Sequence, residues 1–471
     1  MNKISDYISR KASLILITLL VSNFLIRLLI YYNTKFLSIG DYRSYLKGIE
    51  LIKERGTIPL VSGNSLSLNS YIGYFFKYVL GNIDYYFIFN CLLGTITSYI
   101  VYLICLKLTK NKLVGLLTVL LHCIYLEFMA FSSIFYTPII MMFLLSLIIL
   151  LLIHYFNATG YKKFLIAFIL LLLVNGTFYF KGELGYLWIL LILFGLINFK
   201  KKQILIGFVL LGTLLTFSTR VLRFYHILPF KEGNISANDF RFFGHTLYGG
   251  DGGDGAFIYK ENEEKYNKAL SEYCEKNKIK NPTRIDKNNF HWEEVKNFIT
   301  KHPFKWIHLQ FYKFCRFFGV VPEGNSFKIL VSGVLKGKTA ITAILLVLPF
   351  AVMILLIVIT FDFGSIKGRF NKPELLLMGF LVLYYIVASV FYGQYQERYR
   401  MPLMVCLLIP YLSWSLVKFN FKKLIKNKVA LSLKIGVVVL ILGIWAFQTY
   451  NALVVHKERY MGVIDKITIV K

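Results

Sequence analysis

Long apolar runs separated by short lysine-rich stretches make up most of this 471-residue chain. The first runs from about Ala12 to Tyr32, and others lie near 85–106, 113–131, 138–156, 164–180, 184–199, 203–222, 339–361, 374–392, 400–417 and 429–448. Each approaches or exceeds the roughly 18–20 residues that carry a helix across about 30 Å of hydrocarbon. The pattern therefore predicts an all-α polytopic membrane protein of about eleven transmembrane helices. Period-two alternation is absent, which excludes a sheet barrel. The first run is too long for a secretory leader and has no small-residue cleavage site, so it is expected to remain as the first span.

Two stretches break the apolar rhythm, 33–84 after the first span and 223–336 after the seventh. They divide the chain into an N-terminal transmembrane module (1–222, including the 33–84 loop), an inserted domain (223–336), C-terminal transmembrane helices (337–450) and a tail (451–471). Lysine and arginine collect at Lys107, Lys110 and Lys112, at Lys162 and Lys163, at Lys200–Lys202, at Lys367, Arg369 and Lys372, and from Lys418 to Lys428. The positive-inside rule assigns those loops to the cytoplasm, which puts both polar stretches and the tail on the outer face.

Within 33–84, Asp41–Arg55 carries Tyr45, Ile49 and Ile52 at helical spacing, which predicts an amphipathic helix lying along the interface. Within 223–336, Glu261–Lys278 reads as a surface helix, and another starts at Pro303, a favoured first helical position. On that last helix Lys305, Tyr312, Lys313 and Arg316 share a stripe among aromatics, as suits a headgroup layer.

Composition agrees: 56% of residues are apolar, 17% are aromatic, and the mean hydropathy is +0.59. That is more than a soluble domain of this size can bury. The formal charge of +29 serves topology and attraction to anionic lipid, and no basic aromatic groove argues for nucleic acid. The six cysteines show neither metal-ligand nor disulfide-framework spacing.

Ionisable residues in or beside spans are costly, so they mark candidate chemistry. Arg27, Glu127, Lys181, Glu183, Glu397, Arg398 and Arg400 all map near outer ends, with Asp41 at the start of the first outer loop. Glu127 and Glu183 are candidates for buried ion pairs with Arg27 or Lys181, and His122 reads as a hydrogen-bonded packing residue. An acid and several cations on one outer face suit a phosphorylated, lipid-carried substrate.

Several motifs extend the picture: Asp41 with Tyr45 four residues on, Tyr125-Leu126-Glu127, Phe135-Tyr136-Thr137-Pro138, Phe180-Lys181-Gly182-Glu183, the glycine-rich Tyr248–Phe257 with Asp251 and Asp254, His302-Pro303 with Lys313 ten residues later, and Glu397-Arg398-Tyr399-Arg400-Met401-Pro402. In order and spacing they resemble the GT-C superfamily of polytopic glycosyltransferases, in the bacterial branch similar to protein O-mannosyltransferases and lipid A aminoarabinose transferases. Departures are Tyr42, where many relatives carry a second acid, and Lys181, where relatives tend to have Arg-Pro.

The resemblance implies a bacterial plasma-membrane enzyme that moves a sugar from a polyprenyl-phosphate donor to a protein, lipid or glycan acceptor on the outer face. It needs no cofactor beyond that donor, and no metal is assigned. Asp41 is the expected general base, and Lys181, Lys313, Arg398 and Arg400 are expected to meet the donor phosphate. Tyr45, Glu127, Glu183, Asp251, Asp254, His302 and Glu397 are expected to contact substrate. A lipid-linked glycan polymerase or ligase, a flippase and a non-enzymatic transporter are the rival readings.

Overall fold

A computed structural model of the chain describes residues 10–34, 42–56, 68–180, 263–321, 325–362, 378–379, 381–386 and 397–455. Helices dominate throughout, and no strand occurs among the described residues. Among the described residues six helices are long and apolar enough to cross a membrane, or seven if one bent pair is taken as a single span. The eleven expected spans are therefore seen only in part. The stretches 184–199 and 203–222 lie outside the described residues, as does most of 374–392.

In chain order, α1 (Ala12–Asn33) is followed by two shorter helices, α2 (Tyr42–Arg55) and α3 (Leu68–Tyr74), the latter ending in a π-helical turn, Phe75–Val79. Then come α4 (Asp84–Thr109), α5 (Lys112–Ile124), the one-turn α6 (Leu126–Ala130) with a 3-10 turn at Phe131–Ser133, α7 (Pro138–Asn157) and α8 (Gly160–Phe180). The insertion supplies α9 (Glu263–Lys276), α10 (Arg284–Lys301), α11 (Pro303–Phe317) and α12 (Asn325–Ser332). The chain closes with α13 (Thr339–Thr360), α14 (Glu397–Leu403), α15 (Ile409–Lys418), α16 (Phe421–Lys426) and α17 (Lys428–Tyr450). A π-helical turn, Met404–Leu408, joins α14 and α15 into one span.

Local chemistry sets the boundaries. Lys110 adopts the left-handed region (φ 54°) and the Asn111 side chain accepts the Leu113 N–H at 2.9 Å, so α4 and α5 join through a minimal turn. Pro138 opens α7, its fixed φ already helical and its missing N–H no loss there. Thr283 and Asp286 form a reciprocal capping box at the start of α10.

The apolar run expected to span continuously at 113–131 is broken. At Tyr125 the backbone leaves the helix (φ −77°, ψ 83°), and the Leu126–Ser133 segment turns 67° away from α5. From Phe128 to Phe135 every residue is buried, although this stretch leads from α5 into the membrane-length α7. Loops ordinarily run over a surface, where water satisfies their polar groups. This one lies under a cover made by the first polar stretch.

Tyr45 packs edge-on against the rings of Phe135 and Tyr136, at 6.0 and 5.9 Å between centroids. Ile49 and Ile52 are buried on the same face of α2. At Gly73 of α3 a Cβ would collide with Phe135 and Ile49, so a glycine is what lets α3 approach. The amphipathic pattern of α2 is real, but its apolar face rests on protein rather than along the lipid interface.

Candidate functional site

Two polar constellations grip the buried Tyr125–Ser133 segment. In the first, Arg400 of α14 pairs with Glu127: its Nη2 donates to Oε1, and its Nε lies 3.2 Å from Oε2. The Tyr125 hydroxyl donates to the same Oε2 at 2.6 Å. Arg400 Nη1 reaches the Gly319 carbonyl at 2.8 Å, so the guanidinium also caps the C-terminal end of α11, where a cation is favoured. Its planar face lies over the Phe350 ring of α13, 3.9 Å from the centroid. Both charged side chains are about 95% buried, at 5% and 4% exposure.

The second constellation centres on Arg27 of α1, which is fully buried. Its Nε donates to Asn23 Oδ1 at 2.9 Å, and Nη1 donates to the Phe128 carbonyl at 3.0 Å and to Ser132 Oγ. The guanidinium also stacks 4.0 Å from the Phe128 ring centroid. A Cβ at Gly94 of α4 would run into it, so that glycine makes the space. Nη2 has no acceptor among the described residues, and no carboxylate faces this guanidinium there. The expected pairing of Glu127 with Arg27 or Lys181 is thus replaced by one with Arg400, because the turn at Tyr125 aims Glu127 at α14.

Next to these, His122 of α5 is buried with both ring nitrogens occupied. Nδ1 lies 3.1 Å from Ser98 Oγ and Nε2 lies 3.0 Å from the Val405 carbonyl. That is the packing role its lone position in an apolar run implied.

The other candidate residues are placed as follows. Lys313 is 3% exposed, one turn before the α11 end that Arg400 caps, so the structure brings Glu127, Arg400 and the Lys313-bearing turn to one place. Tyr45 sits in an aromatic packing cluster on the segment carrying Glu127. His302 is exposed at the corner between α10 and α11, with its ring 5.5 Å from that of Phe298. Glu397 and Arg398 belong to α14, and their side chains lie outside the described residues. Asp41, Lys181, Glu183, Asp251 and Asp254 lie outside them as well.

The cationic stripe expected on α11 is divided: Lys305 is exposed, Lys313 is turned into the protein, and Arg316 is half-buried. At the surface of the first polar stretch, Glu50 of α2 accepts from Lys77 at 2.5 Å and from the Tyr78 hydroxyl at 2.6 Å. These bonds hold its carboxyl below the usual carboxylate range. Among the described residues no three His, Cys, Asp or Glu side chains gather as metal ligands would. All six cysteines are unbridged.

Sequence reasoning missed the break at Tyr125, the Arg27 cradle and the Glu127–Arg400 pair. An acid inside an otherwise apolar run was the one available signal for the first and last, and nothing in the spacing names a partner 273 residues away. No protein-family model matches this chain, and no curated protein matches it either.

Proposed function

We propose that this chain is a membrane glycosyltransferase that moves a sugar from a polyprenyl-phosphate donor to an acceptor hydroxyl at the face opposite the lysine-rich loops. One observation supports the reading above others. The helix beginning one residue after Asp41 seats Tyr45 on the Tyr125–Pro138 segment, and the same segment presents Glu127 to Arg400 and to the α11 end that carries Lys313. Two polar segments far apart in sequence thus meet on one buried element, which supports a site shared by an acid and several cations.

In this reading the Asp41 carboxylate takes the acceptor proton as the acceptor oxygen attacks the anomeric carbon. The bond from that carbon to the phosphate oxygen breaks, with inversion, and polyprenyl phosphate leaves. Negative charge grows on the leaving phosphate, where Lys181, Lys313 and Arg398 are the cations to meet it. Arg400, whose donors already face Glu127 and Gly319, becomes a positioning residue with Glu127 rather than a phosphate ligand. Glu183, Asp251, Asp254, His302 and Glu397 stay as candidate contacts to sugar and acceptor. The donor reaches its site from the plasma membrane itself.

A second reading has its own observation. A broken helix bearing a buried ion pair is a feature of proteins that carry lipids or ions across the bilayer. Proteoliposomes supplied with a polyprenyl-phosphate sugar and a hydroxyl acceptor separate the two. Sugar transfer by the wild type, reduced by roughly 10² or more in Asp41→Asn, is expected for a general base. Movement of the lipid between leaflets without transfer would instead identify a flippase, and full transfer by a folded Asp41→Asn would remove Asp41 from the chemistry.

A further inference from the structure

Helix α11 carries three different faces. At about 100° per residue, Gln310, Lys313 and Phe317 share one arc, and all three are buried. Phe304, Ile307, Phe311 and Phe314 share the next, and they are 84%, 56%, 58% and 39% exposed. Lys305 and His308 share a third, also exposed. Past His308, every exposed side chain described on this helix is apolar.

The C-terminal end of α11 can be placed against the spans it touches. Lys434 Nζ of α17 meets the Ile359 carbonyl of α13 at 2.5 Å, and Thr360 meets Ser415 of α15 at 2.7 Å, so these contacts mark one level at the lysine-rich ends of three spans. Phe350 stands nine residues further along α13, about 14 Å at 1.5 Å per residue. Arg400 lies over that ring while donating to Gly319. Independently, Trp445 Nε1 donates to the Phe318 carbonyl at 2.9 Å, and Trp445 stands eleven residues beyond Lys434, about 16 Å along α17. Both rulers put residues 317–319 about halfway across a 30 Å hydrocarbon layer.

We propose that α11 is a re-entrant helix. It enters the bilayer from the face opposite the lysine-rich loops, buries its C-terminal half among the spans, and holds Phe311 and Phe314 against lipid acyl chains. Left in water, those four large side chains would form a contiguous exposed apolar patch. Acyl chains are the occupant the depth assigns, since the helix that carries the patch ends against Trp445 and Gln448 of α17, itself a long apolar helix. Lys305 and His308, near the opposite end, stay with the headgroups. Gly319 fits this descent, because a Cβ there would press on Gln448 of α17 and on the Arg316 carbonyl where the chain passes between spans. The inference holds whichever reaction the protein performs.

The test places a small fluorescent amino acid at 304, 305, 311 or 314, and at 437 in α17 as a control for correct insertion. The full chain is reconstituted in vesicles whose lipids are brominated either near the headgroup or near the chain terminus. Re-entry predicts loss of emission with deep bromines at 311, 314 and 437, loss with shallow bromines at 304, and none with deep bromines at 305. Shallow quenching alone at 311 and 314, with 437 behaving as expected, would mean that the helix lies flat in the headgroups and would overturn the proposal. So would quenching of 314 by aqueous iodide and by neither bromolipid.

Discussion

Arg400 and Arg27 hold the same buried segment from the two ends of the chain, yet among the described residues only Arg400 of the two meets a carboxylate. Around Arg400, the acid, a tyrosine hydroxyl, a helix-end carbonyl and an aromatic face share the charge. Around Arg27 there are only neutral acceptors, and Nη2 is left without one among the described residues. An unpaired charge away from water is expensive, whereas a paired one is held chiefly by its counter-ion. The Arg400 side is therefore a locked joint between α14, α11 and α6, and among the described residues the Arg27 side is a packing cradle that surrounds a cation without neutralising it.

The comparison breaks most clearly at Glu127. Glu127→Ala should destabilise the detergent-solubilised protein by about 3–5 kcal/mol, because it strands a buried guanidinium. Replacing both partners, with Glu127→Leu and Arg400→Met together, should recover much of that loss. Thermal unfolding of these two variants, with Arg400→Met and Arg27→Met alongside, measures the difference. Arg27→Met is expected to cost less than Arg400→Met, since it leaves no carboxylate behind, and the reverse order would show that Arg27 is the true anchor.

A smaller effect probes the cradle. Gly94→Ala drives a methyl into the Arg27 guanidinium, an overpacking expected to cost about 1–3 kcal/mol. Combining it with Arg27→Ala should return part of that cost, and an additive double variant would show that the two positions do not share the space.

The surface pair Glu50–Lys77 sets the scale at which water erases the same chemistry. Both side chains are more than a third exposed, so Glu50→Gln should cost less than about 1 kcal/mol, and less again at high salt. Because the folded carboxyl is held below its ordinary range, its contribution is fully present above about pH 4.3 and is lost as pH falls through the lowered value. Unfolding followed between pH 3 and 6 in wild type and Glu50→Gln should show the two curves converging at the acid end.

Much of the helical plan could be read from the chain. Pro138 and Pro303 start helices where expected, α9 falls inside Glu261–Lys278, and α1, α4, α7, α13, α15 and α17 follow apolar runs. Tyr45, Ile49 and Ile52 were correctly seen as one face, because a period near 3.6 shows which residues share a side. What that face touches was misjudged, since periodicity treats a lipid surface and a protein surface alike. The stripe on α11 failed for a related reason: Lys313, at the stripe's edge about 80° from Lys305, falls on the buried arc, while depth along the helix separates Arg316 from Lys305.

Local chemistry therefore determined that this chain is helical, with several helices long and apolar enough to cross a membrane, where most described helices begin, and that a handful of charged residues in apolar runs would need company. Only the tertiary structure decided which company they keep. A charge in a low-dielectric interior must be answered by whichever polar group the packing brings within a few ångströms. The break at Tyr125 and the approach of α14 bring Glu127 and Arg400 together, while α1, with α4 opposite it, leaves Arg27 among carbonyl and hydroxyl groups. Sequence spacing holds no record of that proximity, because it arises between elements that are neighbours only once folded.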